Sequence, residues 1–196
     1  MTEDFLSRAE EELLLRIARD SLAGYIEREQ RIALDRYDLT PTLLERHGAF
    51  VTLRRGAELR GCIGHTRNLE PLAEAVRDNA INAAVRDPRF APVAPEELPG
   101  IRIEVSALCP GGTPDSPFIP VYDLTEIEIG RDGLYLDHAG HRGGGLLLPQ
   151  VAVERQWDVP TFLEAICAKA GAASGAWQDP GAQLYRFSAQ VFSETA

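Results

Sequence analysis

The chain has 196 residues, 44% of them hydrophobic and 26% charged, a balance that fits a folded domain and excludes a disordered or fibrous chain. A net charge of −10 disfavours nucleic acid and anionic membrane surfaces as partners. No apolar run approaches the roughly 20 residues that span a bilayer, acids stand where a signal peptide would be basic and apolar, and Cys62, Cys109 and Cys167 are too few for a disulfide framework. The expectation is a cytoplasmic protein with reduced thiols and no membrane contact.

Ser7 and Glu10 have capping-box spacing, and Leu6, Leu13, Leu14, Ile17, Ala18, Leu22 and Tyr25 recur every three to four residues. This predicts a long amphipathic helix ending before Asp35. Thr40-Pro41 opens a short helix that Gly48 would stop. Ala49 to Arg55 and Leu59 to His65, joined by Gly56-Ala57-Glu58, read as a β-hairpin. Side chains alternate along a strand, so Arg60, Cys62 and Gly64 share one face, while Leu59, Gly61 and Ile63 share the other.

Pro71 to Arg86 repeats the helical pattern through Leu72, Val76, Ala80, Ala83 and Ala84, and Asp87-Pro88 ends it. After a proline-rich connector, Ile101, Ile103, Val105 and Ala107 alternate with Arg102, Glu104 and Ser106, as in a strand with one buried face. The irregular stretch from Cys109 to Pro120 is the candidate boundary between two lobes of one domain covering residues 1–196. Beyond it, Asp132-Gly133 signals a second hairpin, between Glu126–Arg131 and Leu134–Leu136. A glycine-rich turn at Gly143 leads into Leu146-Leu147-Leu148. Pro149 starts a helix reaching about Trp157, with Gln150 beside Glu154 and Val153 beside Trp157. Asp158 caps another that Gly171 closes, and Leu184 to Phe192 form a final strand. The fold class is α+β: a mainly antiparallel sheet packed with helices, in two unequal lobes with a cleft between them.

Cys62 is the sharpest candidate site. Gly61 and Gly64 clear space beside it, and Arg60 on its face would favour a thiolate nucleophile. The plain alternative is a small half-buried residue at a tight bend. A nucleophile needs a base, and His65 would point to the opposite face unless the strand bulges. Cys62, His65, His138 and His141 could be imagined as a zinc set, but the second pair sits in a glycine-rich turn with no helix to hold it. The Gly143-Gly144-Gly145 run near Arg142 matches neither the Walker loop nor the dinucleotide fingerprint. No metal and no cofactor is therefore assigned. Asp87, Arg89 and Glu104 are candidate polar site residues, each open to the reading of an internal ion pair or a solvated strand face. Gln150, Glu154 and Trp157 could line a cleft or cover the core.

Taken together, Gly48-Ala49-Phe50-Val51-Thr52-Leu53, Leu59-Arg60-Gly61-Cys62-Ile63-Gly64, Asp87-Pro88-Arg89-Phe90, Ile103-Glu104-Val105-Ser106, the run from Gly145 to Ala152 and Cys167-Ala168-Lys169-Ala170-Gly171 resemble the AMMECR-type domain. This domain is also described as the A component of the AmmeMemoRadiSam system. The resemblance spans most of the chain in order. It implies an α+β fold of two unequal lobes with the Arg60–Gly64 motif near the cleft between them. It also implies a setting shared with a Memo-like protein and a radical SAM enzyme, and carries no assigned reaction. The chain has no CxxxCxxC motif, so it is not itself the radical enzyme. Many members place threonine directly after the second motif glycine, whereas here His65 precedes Thr66. Two function classes follow. In one, an enzyme or enzyme component uses Cys62 as nucleophile or acyl carrier, Glu104 or His65 moves the proton, and Arg60 steers an anionic group. In the other, a non-catalytic module presents the cleft to a protein or a small anionic ligand. The remaining binding candidates on the motifs are Gly61, Gly64, Asp87, Arg89, Ser106, Gln150 and Glu154.

Overall fold

The computed structural model describes residues 5–138 and 144–195. The chain forms two compact units, one made of residues 1–108 and 190–196 and the other of residues 109–189.

In the first unit, α1 (Arg8–Arg28) begins with the full capping box, in which the Ser7 side chain accepts from the Glu10 N–H. It ends where Glu29 turns left-handed, φ 54°, and returns its N–H to the Gly24 and Tyr25 carbonyls. The short helix α2 (Pro41–Leu44) is capped by Thr40, yet stops at Leu44, four residues before Gly48. The reason is a competing pairing: Arg46 bridges Pro71, and the Leu72 N–H bonds the Glu45 carbonyl at 2.9 Å. Strand β1 (Ala49–Arg55) lies antiparallel between β2 (Glu58–His65) and β3 (Ile101–Leu108). Helix α3 (Leu72–Val85) packs on β1, β2 and α1.

One apolar cluster joins Leu14, Ile17 and Leu22 of α1, Val51 and Leu53 of β1, Leu72, Val76 and Ala80 of α3, and Ile103 and Val105 of β3. Each large aliphatic chain so buried contributes about 1.5–3 kcal/mol. The C-terminal residues return to this unit. The Glu194 N–H bonds the Ile103 carbonyl at 3.0 Å, and its carboxylate takes the Ile103 N–H and the Arg19 guanidinium.

The second unit has its own core of Leu134, Leu136, Ala152, Phe162, Leu163, Ile166, Cys167 and Leu184. Strand β4 (Ile119–Pro120) pairs with β7 (Ala182–Ser193), and β5 (Asp132–His138) lies between β7 and β6 (Gly145–Leu147). Helices α4 (Pro149–Glu154) and α5 (Val159–Lys169) follow β6. Asp158 caps α5 by accepting from the Thr161 N–H, and Gly171, φ 71°, follows its end.

Two sequence expectations fail here. Asp132-Gly133 is no hairpin turn: both residues lie in β5, and Glu126–Arg131 is not a strand. The left-handed position falls on Gly130, φ 94°. Gly133 serves packing instead, because a Cβ there would meet the Phe187 ring at 2.5 Å and the Leu147 carbonyl oxygen at 2.7 Å. Helix α4 also ends before Trp157: Gln156 is left-handed, φ 54°, so Val153 and Trp157 are not helical neighbours.

Candidate functional site

The hairpin register builds the site. A hairpin closing at Arg55–Glu58 would, without interruption, set Thr52 against Gly61. A bulge at Arg60 moves the register by one, so that Thr52 pairs with Cys62 and Leu53 with Gly61. On its other side Thr52 pairs with Glu104. Cys62, Thr52 and Glu104 therefore form a transverse row on one sheet face, with Gly64, Phe50 and Ser106 as the next row. The opposite face carries Val51, Leu53 and Gly61 against the helices. Gly61 has to be glycine there, since any Cβ would strike the Ala83 carbonyl of α3. Gly64 clears space for the Phe50 ring lying over it.

Strand β2 stands at the end of the strand order, so the outward N–H and C=O of Cys62 have no strand partner. The segment after α3 supplies one. The Asp87 carboxylate accepts the Cys62 N–H at 2.8 Å, and the Arg89 guanidinium donates to the Cys62 carbonyl at 3.4 Å. Arg89 also grips Asp87 through Nε at 2.9 Å and Nη2 at 2.6 Å. The Asp87 side chain is 2% exposed. Hydrogen bonding from Arg89, with the Cys62 and Arg89 N–H groups, holds its carboxyl well below the usual range despite burial. Together the two residues occupy the place of a missing strand.

The half-buried Cys62 thiol accepts a hydrogen bond from the Thr52 hydroxyl at 3.3 Å. Burial pushes its pKa up, and the nearby Asp87 and Glu104 charges add to this. The Thr52 bond and Arg89 pull the other way without prevailing. The balance favours the protonated thiol.

Arg60, expected to favour a thiolate, is committed elsewhere. Its Nε and Nη2 bond the Glu97 carboxylate, each at 2.8 Å, and this pair holds the Glu97 pKa down at about 2. Glu97 also accepts the Ala94 N–H at 3.0 Å. The remaining Arg60 nitrogen, Nη1, is buried with no hydrogen-bond partner among the described residues. Both Arg60 and Arg89 lie against the Phe90 ring, at 5.9 and 5.5 Å from its centre.

His65 does not join this group. Strand β2 runs to His65 without a bulge after Cys62, and His65 pairs with Ala49 on the face opposite Cys62. Its ring contacts Glu70 at 3.0 Å and the Arg67 carbonyl at 2.9 Å. Gln150 and Glu154 sit on α4 of the second unit. His138 faces Asp179 at 3.0 Å, while His141, Arg142 and Gly143 lie outside the described residues. Among the described residues, no three His, Cys, Asp or Glu side chains gather to hold a metal ion. None of their helices is long and apolar enough to cross a membrane.

Local spacing singles out none of Thr52, Phe90 and Glu97. Thr52 could be reached only through the register, which the bulge resets. Glu97 lies 37 residues from Arg60, whereas Thr52 and Phe90 stand within Gly48–Leu53 and Asp87–Phe90, two of the segments that carry the family resemblance.

The profile of the AMMECR1 family matches residues 15–192. The chain belongs to the AMMECR1 family. Two relatives extend the match: a protein of Thermococcus gammatolerans, 44% identical over 93% of this chain and 89% of its own, and one of Methanothermobacter thermautotrophicus, 42% identical over 96% of each. The fold matches the crystal structure of Uncharacterized Protein PH0010 from Pyrococcus horikoshii with a TM-score of 0.88, at 37% identity over 97% of this chain and 94% of that one. Arg60–Gly64 and Asp87–Phe90 are two sides of one piece of local structure, a bulged edge strand and the segment that caps it.

Proposed function

We propose that this AMMECR1 family member is a binding component that takes an anionic group, a carboxylate or phosphate, at Arg60 beside the Cys62 row, and that Cys62 is a wall of that site and not a resting nucleophile. The observation that carries the reading is the Arg60 Nη1 donor, buried and without a partner among the described residues while its sister nitrogens are fixed by Glu97. A buried donor without an acceptor costs about 1–3 kcal/mol, which an anionic ligand would recover. Phe90 offers an apolar surface next to it. The raised thiol pKa supports the part given to Cys62.

The setting proposed is the cytoplasm, in a pathway shared with a Memo-like protein and a radical SAM enzyme. Its support is the family resemblance. Complementation of a chromosomal deletion separates this reading from catalysis. Cys62→Ser should retain function, whereas Arg60→Gln combined with Glu97→Gln, which leaves no buried charge unpaired, should abolish it in a folded protein. Loss with Cys62→Ser at unchanged stability would reject the binding reading.

A second reading is an enzyme whose Cys62 is activated on substrate binding, with Glu104 as the base. The observation favouring it is the row itself, which puts the Thr52 hydroxyl between the thiol and the Glu104 position.

A further inference from the structure

The first unit holds a cavity of about 440 Å³, formed by residues other than those of the Cys62 row. Its walls come from the loop between α1 and α2, the end of α2 and the start of α3. The apolar part is Leu34, Leu39, Leu44, Pro71 and Ala73, and the rim carries Asp35, Asp38 and Glu74. A volume of this size lies within the range of ligand pockets, roughly 300–1,000 Å³.

The charges at the rim are unevenly answered. Glu74 meets Arg77 at 3.2 Å, and the Tyr37 hydroxyl is tied to Asp20 and Arg36, each at 2.6 Å. Asp35 and Asp38 make no ion pair or side-chain hydrogen bond among the described residues, and both are exposed. Two carboxylates without a countercharge beside an aliphatic wall select a cation carried on an apolar stem, which is the chemistry of a lysine or arginine side chain. Leu44 in that wall is 53% exposed. An occupant that covers its outward side as well as meeting the acidic rim carries more apolar surface than a free amine, as a side chain with an aliphatic neighbour does. A second copy of this chain would bring its own net charge of −10 to an acidic rim.

We propose that this cavity receives a lysine or arginine side chain, flanked by an aliphatic residue, from a basic segment of a partner protein. The site is independent of the Cys62 row and of the anion proposed there.

The test is amide NMR of the full chain titrated with acetyl-Leu-Lys-Leu-amide. The expected result is saturable shifts at residues 34–39, 44 and 71–74. Asp35→Asn combined with Asp38→Asn should weaken binding roughly three- to tenfold, the range of two exposed charge contacts. Both positions are exposed, so the fold should survive, and Leu44→Ser provides a second, uncharged probe that should also weaken binding. Each of four results would overturn the proposal. They are no shifts at these residues, equal binding of acetyl-Leu-Glu-Leu-amide, n-butylammonium binding as tightly as the tripeptide, and the same shifts arising from protein concentration alone.

Discussion

Asp87 and Asp132 make an instructive pair. Each is an almost fully buried carboxylate, at 5% and 1% exposure, each accepts a backbone N–H at 2.8 Å, and each is gripped by an arginine close by in the chain. Asp132 works locally: it ties the Glu128 N–H and Arg131 into the turn before β5, with Arg186 at 3.7 Å. Asp87 works across 25 residues and completes the free edge of β2 at Cys62. The same device thus serves a turn in one unit and the free edge of β2 in the other. A buried carboxylate with an arginine is therefore not by itself a sign of catalysis. What distinguishes the Asp87 region is its neighbours: a thiol, an arginine nitrogen without an acceptor among the described residues, and an aromatic ring.

The largest effect should come from Gly61→Ala, because the new Cβ collides with backbone and not with a yielding side chain. Helix α3 would have to move off β2, at a cost of roughly 3 kcal/mol by overpacking. Urea denaturation measures it. Gly56→Ala, in open space at φ 60°, should cost about 1 kcal/mol for backbone strain alone.

Asp87→Asn should lose about 2 kcal/mol, since it leaves Arg89 without its charge partner and weakens the acceptor for the Cys62 N–H. It should also speed amide exchange at Cys62. Asp132→Asn should be destabilising without changing exchange at Cys62; if it changes both equally, the two locks are not separate.

The acid limb of stability gives a smaller, graded effect. Asp87 and Glu97 both have folded pKa values below their unfolded ones, about 3.9 and 4.3. Their contribution is therefore complete above about pH 5 and is lost progressively as pH falls below it, for Glu97 through about 2. Glu97→Gln should flatten that slope in acid titrations followed by circular dichroism and leave the neutral-to-alkaline side unchanged. The smallest effect is that of Cys62→Ser, about 1 kcal/mol or less, because a hydroxyl can still meet Thr52.

Much of this was legible in the residues. The capping box at Ser7, the first hairpin, the alternating strand from Ile101 and the Asp158 cap all follow from local spacing, and the α+β antiparallel fold follows from them. Asp132-Gly133 reads as chain punctuation from its local chemistry, while the Asp132 carboxylate is held by partners that only the folded chain supplies. Asp87 and Arg89 stand out as polar candidates, but their hold on the Cys62 backbone is not legible in the sequence. Arg60 likewise looked like the cation for Cys62 because alternation puts them together. The bulge and Glu97 decide otherwise, and neither leaves a mark in the local sequence.

The central claim is that the Cys62 thiol is neutral at rest in an edge strand capped by Asp87 and Arg89. Its most direct test is the pH dependence of iodoacetamide labelling in the folded protein, resolved residue by residue by mass spectrometry. The prediction is that Cys62 labels more slowly than Cys109 at neutral pH, with its inflection above the value of an ordinary thiol, about 8.5. An inflection below pH 7, with Cys62 the fastest of the three cysteines, would contradict the account and make Cys62 a nucleophile.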